Sequence, residues 1–248
     1  MIPQNHPRYK SLLIREKIVN AYKNGYLADS AMIAHGRGEA FDYMLGETTI
    51  LPAKRAMYTA VSLLLLSKNP VISVNGNTVA LAIDEVIELA KIVNAKIEIN
   101  LFYRTEERVE IISNLFKERG FKNILGTNND DIKYIDNINN PRASASSKGI
   151  YISDVVLIPL EDGDRAEILS KTDKNIITID LNPLSRTSQK SNISIIDNIV
   201  RAIPFMCEIG KDLKLQDKEF LKKIVDEYSN EDNLKESLDS FKIKEGKI

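Results

Sequence analysis

From Pro70 onwards the sequence alternates short β-branched segments with amphipathic helical segments, which limits the folds open to it. The strand-like segments are residues 71–74, 96–101, 123–125, 155–159 and 175–180. The helical segments between them are roughly 81–94, 105–119 and 165–171. Repeated units of this kind pack as a mostly parallel sheet with helices on its faces. The sequence therefore predicts an α/β fold with a mostly parallel sheet.

Different patterns flank this central region. Residues 4–67 have the apolar spacing of helices, and residues 213–248 are charged with two further helical patterns. We predict one domain over residues 1–248, with a helical N-terminal part (1–67), an α/β core (68–211) and a charged helical tail (212–248). Residues 127–148 are rich in Asn, Asp and Ser, which predicts a long surface loop or lid.

Composition excludes several classes of protein. The 34 basic and 35 acidic residues nearly cancel, so no global field would attract nucleic acid or a membrane surface. The single cysteine, Cys207, predicts a reducing compartment and a core position, and the N-terminus lacks a signal-peptide pattern, so we expect a cytoplasmic protein. Neither histidine lies in a metal-ligand pattern, so Mg²⁺ is expected only as the companion of a nucleotide.

The strand at 176–179 ends in a polar, basic loop. Open α/β sheets bind ligands beyond the carboxyl ends of their strands, which is where Asp180 and Asn182 lie. Asn182–Pro183 can start a helical turn with free backbone N–H groups, and Arg186 with Thr187 could bind phosphate. The alternative is a plain turn with a solvated arginine.

A second polar loop, Asn75–Gly76–Asn77–Thr78, follows the first strand. Its small residues could bring backbone close to a phosphate at a helix N-terminus, or it could be a tight turn capped by Thr78. It matches neither the Walker loop nor GxGxxG, so those nucleotide-binding fingerprints are absent.

Three arginines are further candidates for anion contacts. Arg37 lies between two glycines, where Gly36 would end one helix and Glu39 begin the next. Arg15 lies among Leu12, Leu13 and Ile18, which predicts a packed arginine in need of an anion.

Arg104 follows a strand at the ligand edge of the sheet. The acidic loop with Glu161, Asp162 and Asp164 could hold Mg²⁺, although a turn and helix cap is the favoured interpretation. His35 is interpreted as a capping or packing residue at a helix end.

Five motifs, in the same order along the chain, resemble those of a known family. With HPRYKSLLIREKI, IAHGRGEAFDYMLGE, VNGNTVAL, PLEDGDR and TIDLNPLSRTS, the sequence resembles the archaeal 4-phosphopantoate–β-alanine ligase (phosphopantothenate synthetase) family over residues 6–210. The resemblance implies a homodimer with a Rossmann-like core that joins 4-phosphopantoate to β-alanine in coenzyme A biosynthesis while ATP becomes AMP and diphosphate.

Residue by residue, the resemblance implies ATP contacts from Arg15, Arg37, Asp180, Leu181, Asn182, Arg186, Thr187, Asn198 and Ile199. It identifies no catalytic side chain, because the amine of β-alanine can displace AMP from a phosphopantoyl adenylate without an enzyme nucleophile. Strand-end positions suggest that Asn75, Asn77 and Arg104 hold phosphopantoate. Two alternatives stay open: a small-molecule kinase that releases ADP, and a non-catalytic nucleotide-sensing dimer.

Overall fold

The computed structural model describes residues 3–6, 8–128, 131–135 and 141–241 of the chain. Its main strands are β1 (Pro70–Val74), β2 (Lys96–Ile99), β3 (Ile124–Leu125), β6 (Val155–Pro159), β7 (Asn175–Asp180) and β8 (Ile193–Ile196). They form one parallel sheet in the order β3-β2-β1-β6-β7-β8. The predicted mostly parallel α/β fold is confirmed, with β8 as a strand that the sequence analysis did not identify.

Helices cover the sheet and form the N-terminal part. They are α1 (Tyr9–Lys23), α2 (Asp29–Met44), α3 (Leu51–Leu66), α4 (Gly76–Val93), α5 (Glu106–Glu118), α6 (Gly163–Ser170), α7 (Arg186–Lys190), α8 (Ile199–Leu213), α9 (Lys218–Asp226) and α10 (Asn230–Asp239). Helices α4 and α8 pack together, and α3 packs on α8, α9 and β8. None of the helices in the described part of the chain is long and apolar enough to cross a membrane.

The central strands are mostly apolar, and β6 is apolar throughout, because both faces of the sheet are covered. Val155 and Leu157 of β6 join the main core beneath α3, α4 and α8, whereas Val156 and Ile158 face a second apolar cluster. A fully buried parallel strand needs apolar side chains on both faces, which explains the continuous apolar segments. Cys207 lies in the main core, as predicted, and burial raises the pKa of its thiol to about 12.

The predicted surface loop or lid at 127–148 is wrong in part. Strand β4 (Ile132–Tyr134) pairs antiparallel with β5 (Ser144–Ser146), and Ala143 and Ala145 belong to the second apolar cluster. Residues 129–130 and 136–140 lie outside the described residues. The segment folds onto the sheet because buried Arg165 donates hydrogen bonds to the carbonyls of Arg142 and Ser144, both at 2.8 Å. These distant partners could not be identified from the local polar composition.

Strand order fixes the ligand edge of the sheet. The chain runs outward from β1 through β2 to β3, then returns to β6 on the other side of β1 and continues to β8. The carboxyl ends of β1 and β6 therefore flank the point at which the order reverses, which is where open α/β sheets form their ligand crevice.

Candidate active site

Two adjoining cavities open at this crevice. The first, of about 470 Å³, lies over the ends of β6, β7 and β8, and the second, of about 260 Å³, lies over β1, β2 and β6. Their combined size is in the range of small-molecule sites. Six residues line both cavities and so form a shared wall: Ala34, Arg37, Asn77, Leu160, Glu161 and Asp162.

The first cavity collects eight of the nine residues predicted to contact ATP. These are Arg37, Asp180, Leu181, Asn182, Arg186, Thr187, Asn198 and Ile199. They come from α2, the β7–α7 loop and the start of α8, so the motifs far apart in sequence meet at one surface.

The loop after β7 is held by its own polar groups. Asp180 accepts hydrogen bonds from Ser185 Oγ at 2.5 Å and from the Asn182 N–H at 2.9 Å. Ser185 caps the short helix α7 by accepting from the Ser188 N–H. Burial raises the pKa of Asp180. The sequence-predicted helical turn is present, and its side chains mainly shape the loop.

Arg186 faces the cavity from the first turn of α7. Its side chain is 59% exposed and pairs with Asp164 at 2.5 Å, so it can exchange this carboxylate for a ligand phosphate. Thr187 Oγ1 donates to the carbonyl of Glu161 at 3.0 Å, which ties the β7 loop to the β6 loop. Gly163 permits this packing, because a Cβ there would lie 2.7 Å from Arg186 Cβ.

The start of α8 rests on a buried charged network. Asn198 caps the helix by accepting a hydrogen bond from the Val200 N–H. Asp197, fully buried, pairs with Arg201 at 2.6 Å, and Arg201 also binds Asp42 of α2 at 2.5 Å. Asn198 Nδ2 donates to Asp42 as well, at 2.7 Å. This network fixes α2 against the end of β8.

Helix α2 crosses both cavities. It is continuous through Gly36, Arg37 and Gly38, so the predicted helix end at Gly36 and the new start at Glu39 are wrong. Glycine lowers helix propensity by about 1 kcal/mol, a cost that tertiary packing overrides. A Cβ at Gly38 would lie 3.5 Å from Leu181 Cδ1, so this glycine lets α2 approach the β7 loop.

Arg37 is exposed and forms no hydrogen bond or ion pair with another described residue. His35 lines the first cavity from inside α2, so its predicted position at a helix end is also wrong. Burial, and secondarily the charge of Arg15, lowers the pKa of His35 and so favours the neutral ring.

Arg15 differs from its prediction. It is exposed on α1 and lines neither cavity, because α1 packs mainly through Ile18 and Ala21. Its charge nevertheless acts on His35 and Glu39, so Arg15 lies near the α2 side of the first cavity.

The loop after β6 turns sharply into the shared wall. Leu160 has φ of +52°, a left-handed conformation that is uncommon for a non-glycine residue. Asp162 caps α6 by accepting from the N–H groups of Asp164 and Arg165, which confirms the cap interpretation of this acidic loop. In the described part of the chain, no cluster of three acidic, histidine or cysteine side chains could hold a metal ion.

Glu161 is the most perturbed group of the shared wall. Its side chain is 6% exposed and pairs with Arg142, which lies 2.7 Å away. Burial is the largest cause that raises the pKa of Glu161, to about 7, while the charge of Arg142 opposes it. The sequence indicates this residue only as a metal ligand or part of a turn, because Arg142 is remote in sequence and the fully apolar strand is the sole sign of burial.

The two asparagines of the β1 loop both line the second cavity, but their side chains are bonded differently. Asn75 caps α4 and donates to the carbonyls of Pro159 and Leu160, so its side chain is used in joining two loops. Asn77 Oδ1 is buried and has no hydrogen-bond partner among the described residues. The tight turn capped by Thr78 is replaced by a helix that begins at Gly76.

Arg104 and Arg108 have different positions. Arg104 donates to the carbonyls of Gly126 and Thr127 and does not line the second cavity. Arg108, one helical turn further on, does line it, and its buried Nε has no partner among the described residues. The helical spacing of α5 could have suggested Arg108, but only the position of α2 and the residues just before it shows which arginine reaches the cavity.

Comparisons with known proteins identify the family of the chain. The phosphopantothenate/pantothenate synthetase family model matches residues 52–244. Proteins named 4-phosphopantoate–β-alanine ligase from Thermococcus kodakarensis and Thermococcus onnurineus are 52% and 50% identical, each covering 96% of this chain and 90% of the relative. The Methanosarcina mazei protein of the same name is 49% identical over 96% of this chain and 92% of its own length. The chain therefore belongs to the phosphopantothenate/pantothenate synthetase family of carbon–nitrogen ligases.

Proposed function

We propose that the protein joins 4-phosphopantoate to β-alanine in coenzyme A biosynthesis, with conversion of ATP to AMP and diphosphate. The substrates come from the names of the relatives. The observation that supports the proposal best is the pair of cavities with a common wall, since a ligase must bring a nucleotide and an acid together. The reaction would take place at that wall.

The first cavity suits the nucleotide. Arg37 and Arg186 supply positive charge for the phosphates, and the capped starts of α7 and α8 supply backbone N–H groups. The acidic side chains that line this cavity, including Asp162 and Asp180, already accept hydrogen bonds from the protein. Mg²⁺ would therefore be held chiefly by the phosphates of ATP.

The second cavity suits phosphopantoate. The N-terminus of α4 and the guanidinium of Arg108 lie on its wall, and Arg37 reaches it from the other side. We propose Arg108 for the phosphate contact first expected of Arg104, because Arg108 lines this cavity and Arg104 does not. Arg108 also donates to the carbonyls of Tyr103 and Tyr26, and its buried Nε is the donor left for a ligand among the described residues.

The chemistry follows from this arrangement. A carboxylate is a poor electrophile, so its oxygen would attack the α-phosphorus of ATP and displace diphosphate to give phosphopantoyl adenylate. The amine of β-alanine would then attack the activated carbonyl and displace AMP. Positioning and positive charge are what the protein must contribute to the first step.

Labelling the phosphopantoate carboxylate with ¹⁸O tests the proposal. The adenylate route transfers one ¹⁸O to AMP, detected by mass spectrometry. Label in inorganic phosphate together with ADP would instead support an acyl phosphate, and ADP with a phosphorylated acceptor would support the kinase alternative. Nucleotide binding without turnover in the presence of all three substrates would support the nucleotide-sensing alternative.

We also propose a cytoplasmic homodimer. Helix α2 buries one residue in the monomer, Asp42, and leaves Ile33 70% and Tyr43 63% exposed. Large apolar side chains exposed together favour burial against another surface. Because α2 also lines both cavities, dimer formation would stabilise the position of α2 at the site.

A further inference from the structure

We propose that Glu161 is the general base that takes the ammonium proton of β-alanine, and that Asn77 Oδ1 holds the same ammonium group. This inference rests on the proposed ligase reaction and adds its proton acceptor. It concerns the second step, in which the amine must be unprotonated to attack.

Position is the first support. Glu161 and Asn77 both belong to the wall shared by the two cavities, so both face the place where the activated carboxyl group would lie. Their loops are joined directly, because Asn75 Nδ2 donates to the Leu160 carbonyl at 2.9 Å and Thr78 Oγ1 donates to the Pro159 carbonyl at 3.2 Å. The two loops that carry these side chains are therefore held together.

Backbone strain is the second support. The left-handed φ of Leu160, +52°, costs free energy in a residue with a Cβ. Its N–H donates to the Ile179 carbonyl of β7, so the strained conformation is held by the sheet itself. The consequence is that the chain turns immediately after β6 and directs Glu161 into the wall.

The chemistry of the free atoms is the third support. Both hydrogen bonds that Glu161 accepts, from Arg142 at 2.7 Å and from the Asp162 N–H at 3.0 Å, end on Oε1, which leaves Oε2 to receive a proton. The unpartnered Asn77 Oδ1 is an acceptor, and it suits an ammonium donor better than a phosphate or carboxylate. Together they form a site for a protonated amine.

The charges around Glu161 suit a base. Burial and the neighbouring Asp162 raise its pKa, Arg142 and Arg165 lower it, and the result is a pKa of about 7. Arg37 faces the same wall from α2. A base works best when its pKa is near the working pH, whereas an alkylammonium group loses its proton unaided only near about pH 10.

The transfer of the acyl group to β-alanine accounts for every proton and electron pair. Glu161 takes one proton from the ammonium group, and the freed nitrogen lone pair forms the C–N bond at the acyl carbon. The bond between the acyl carbon and the phosphate oxygen breaks, and AMP leaves with that electron pair. The nitrogen gives its second proton to the phosphate of the departing AMP, and Glu161 later returns its proton to solvent.

Competition between two nucleophiles tests the role. Hydroxylamine is largely unprotonated at neutral pH and needs no base, so it would trap the adenylate as a hydroxamate. We expect Glu161→Gln to lower the rate ratio of β-alanine transfer to hydroxamate formation by about 10²-fold or more. Taking the ratio within each variant cancels any general loss of adenylate. Glu110→Gln, on the exposed surface of α5, is the matched control with the wild-type ratio.

An unchanged ratio in Glu161→Gln would overturn the inference. If that variant does not fold, the wild-type pH profile decides: kcat/KM for β-alanine should rise as Glu161 loses its proton and level off above about pH 7. A continued rise towards the pKa of the free amine would mean that no base acts. Absence of hydroxamate from the wild type would refute the adenylate of the proposed function. The role of Glu161 would then still be tested by the pH profile of kcat/KM for β-alanine.

Discussion

At the residue scale, the site is distinguished by side-chain groups that have no hydrogen-bond partner among the described residues. Asn75 and Asn77 are two positions apart, yet the first is fully used in capping and loop contacts while the second has a buried free oxygen. Arg37 likewise has no partner among the described residues, whereas Arg142 is tied to Glu161. A buried acceptor without a partner costs stability in the unliganded protein, so Asn77 points to a ligand. Arg37 is exposed and hydrated, so it can bind an anion without breaking a contact within the protein.

Asn77→Leu separates stability from function. Removing a buried acceptor that lacks a partner should stabilise the fold, and loss of the long hydrogen bond from Asn77 Nδ2 to the Ala31 carbonyl, at 3.4 Å, should offset part of that gain. We therefore expect the free energy of unfolding to rise by less than about 1 kcal/mol. The same change should raise the KM for β-alanine about tenfold, the equivalent of about 1.4 kcal/mol. Urea unfolding and steady-state kinetics measure the two effects. A more stable variant with an unchanged KM would remove Asn77 from the ammonium site.

At the element scale, close approach of short loops and helix starts builds the cavities. Helix α6 begins against Arg186 of α7 because Gly163 has no Cβ, and α2 lies against the β7 loop at Gly38. Charged contacts then fix α2, through Asp42, to the start of α8. The elements of the site are therefore positioned by contacts outside the cavities as much as by those that line them.

Gly163→Ala tests the packing of α6 on α7. Its new methyl group would lie 2.7 Å from Arg186 Cβ and 2.8 Å from Nε, so the helices must move apart. We expect a stability loss of about 1–3 kcal/mol and a higher KM for ATP. Gly36→Ala is the comparison, since nothing lies within 4 Å of its Cβ, and it should stabilise α2 by about 0.5–1 kcal/mol. Equal effects of the two substitutions on thermal unfolding would contradict this account.

Arg201→Met tests the charged network. It would leave the carboxylates of Asp42 and Asp197 buried without their cation, which should cost about 3–5 kcal/mol in the free energy of unfolding. Adding Asp42→Asn and Asp197→Asn should recover much of that loss, because no buried charge remains. Urea denaturation of the single and triple variants measures both values, and a loss below about 1 kcal/mol in Arg201→Met would show that the network is weakly coupled to folding.

At the scale of the whole molecule, different strands of the parallel sheet carry different parts of the site. The carboxyl ends of β1 and β6 flank the reversal of strand order and carry the shared wall, while β7 and β8 carry the first cavity. The N-terminal helices cover the site from above and carry exposed apolar side chains. The site and the proposed dimer surface thus meet on α2.

Ile33→Asp tests the dimer. A charge at this position, 70% exposed in the monomer, should prevent burial of α2 against a second copy. We expect the wild type to be dimeric and the variant monomeric by light scattering, with reduced ligase activity. Leu215→Asp is the control, because Leu215 is 83% exposed but lies between α8 and α9, and this variant should stay dimeric. A monomeric wild type would contradict the proposal.

Local sequence properties are enough to predict the fold class and the motifs of the first cavity. The apolar segments of β6 and β7 predicted strands buried on both faces, and the polar residues after β7 predicted a ligand edge, because both properties depend on local composition and on the general behaviour of parallel sheets. The resemblance added Asn198 and Ile199, which spacing alone did not suggest. Both line the first cavity.

Tertiary structure alone decided which strand-end residues share a wall. It placed Arg108 rather than Arg104 at the second cavity, continued α2 through Gly36, and brought Arg142 from a remote polar segment to Glu161. Local sequence governs whether a residue is helical, extended or apolar. Contacts between loops depend on strand order and helix packing, and a carboxylate acquires its altered pKa only when those contacts bury it.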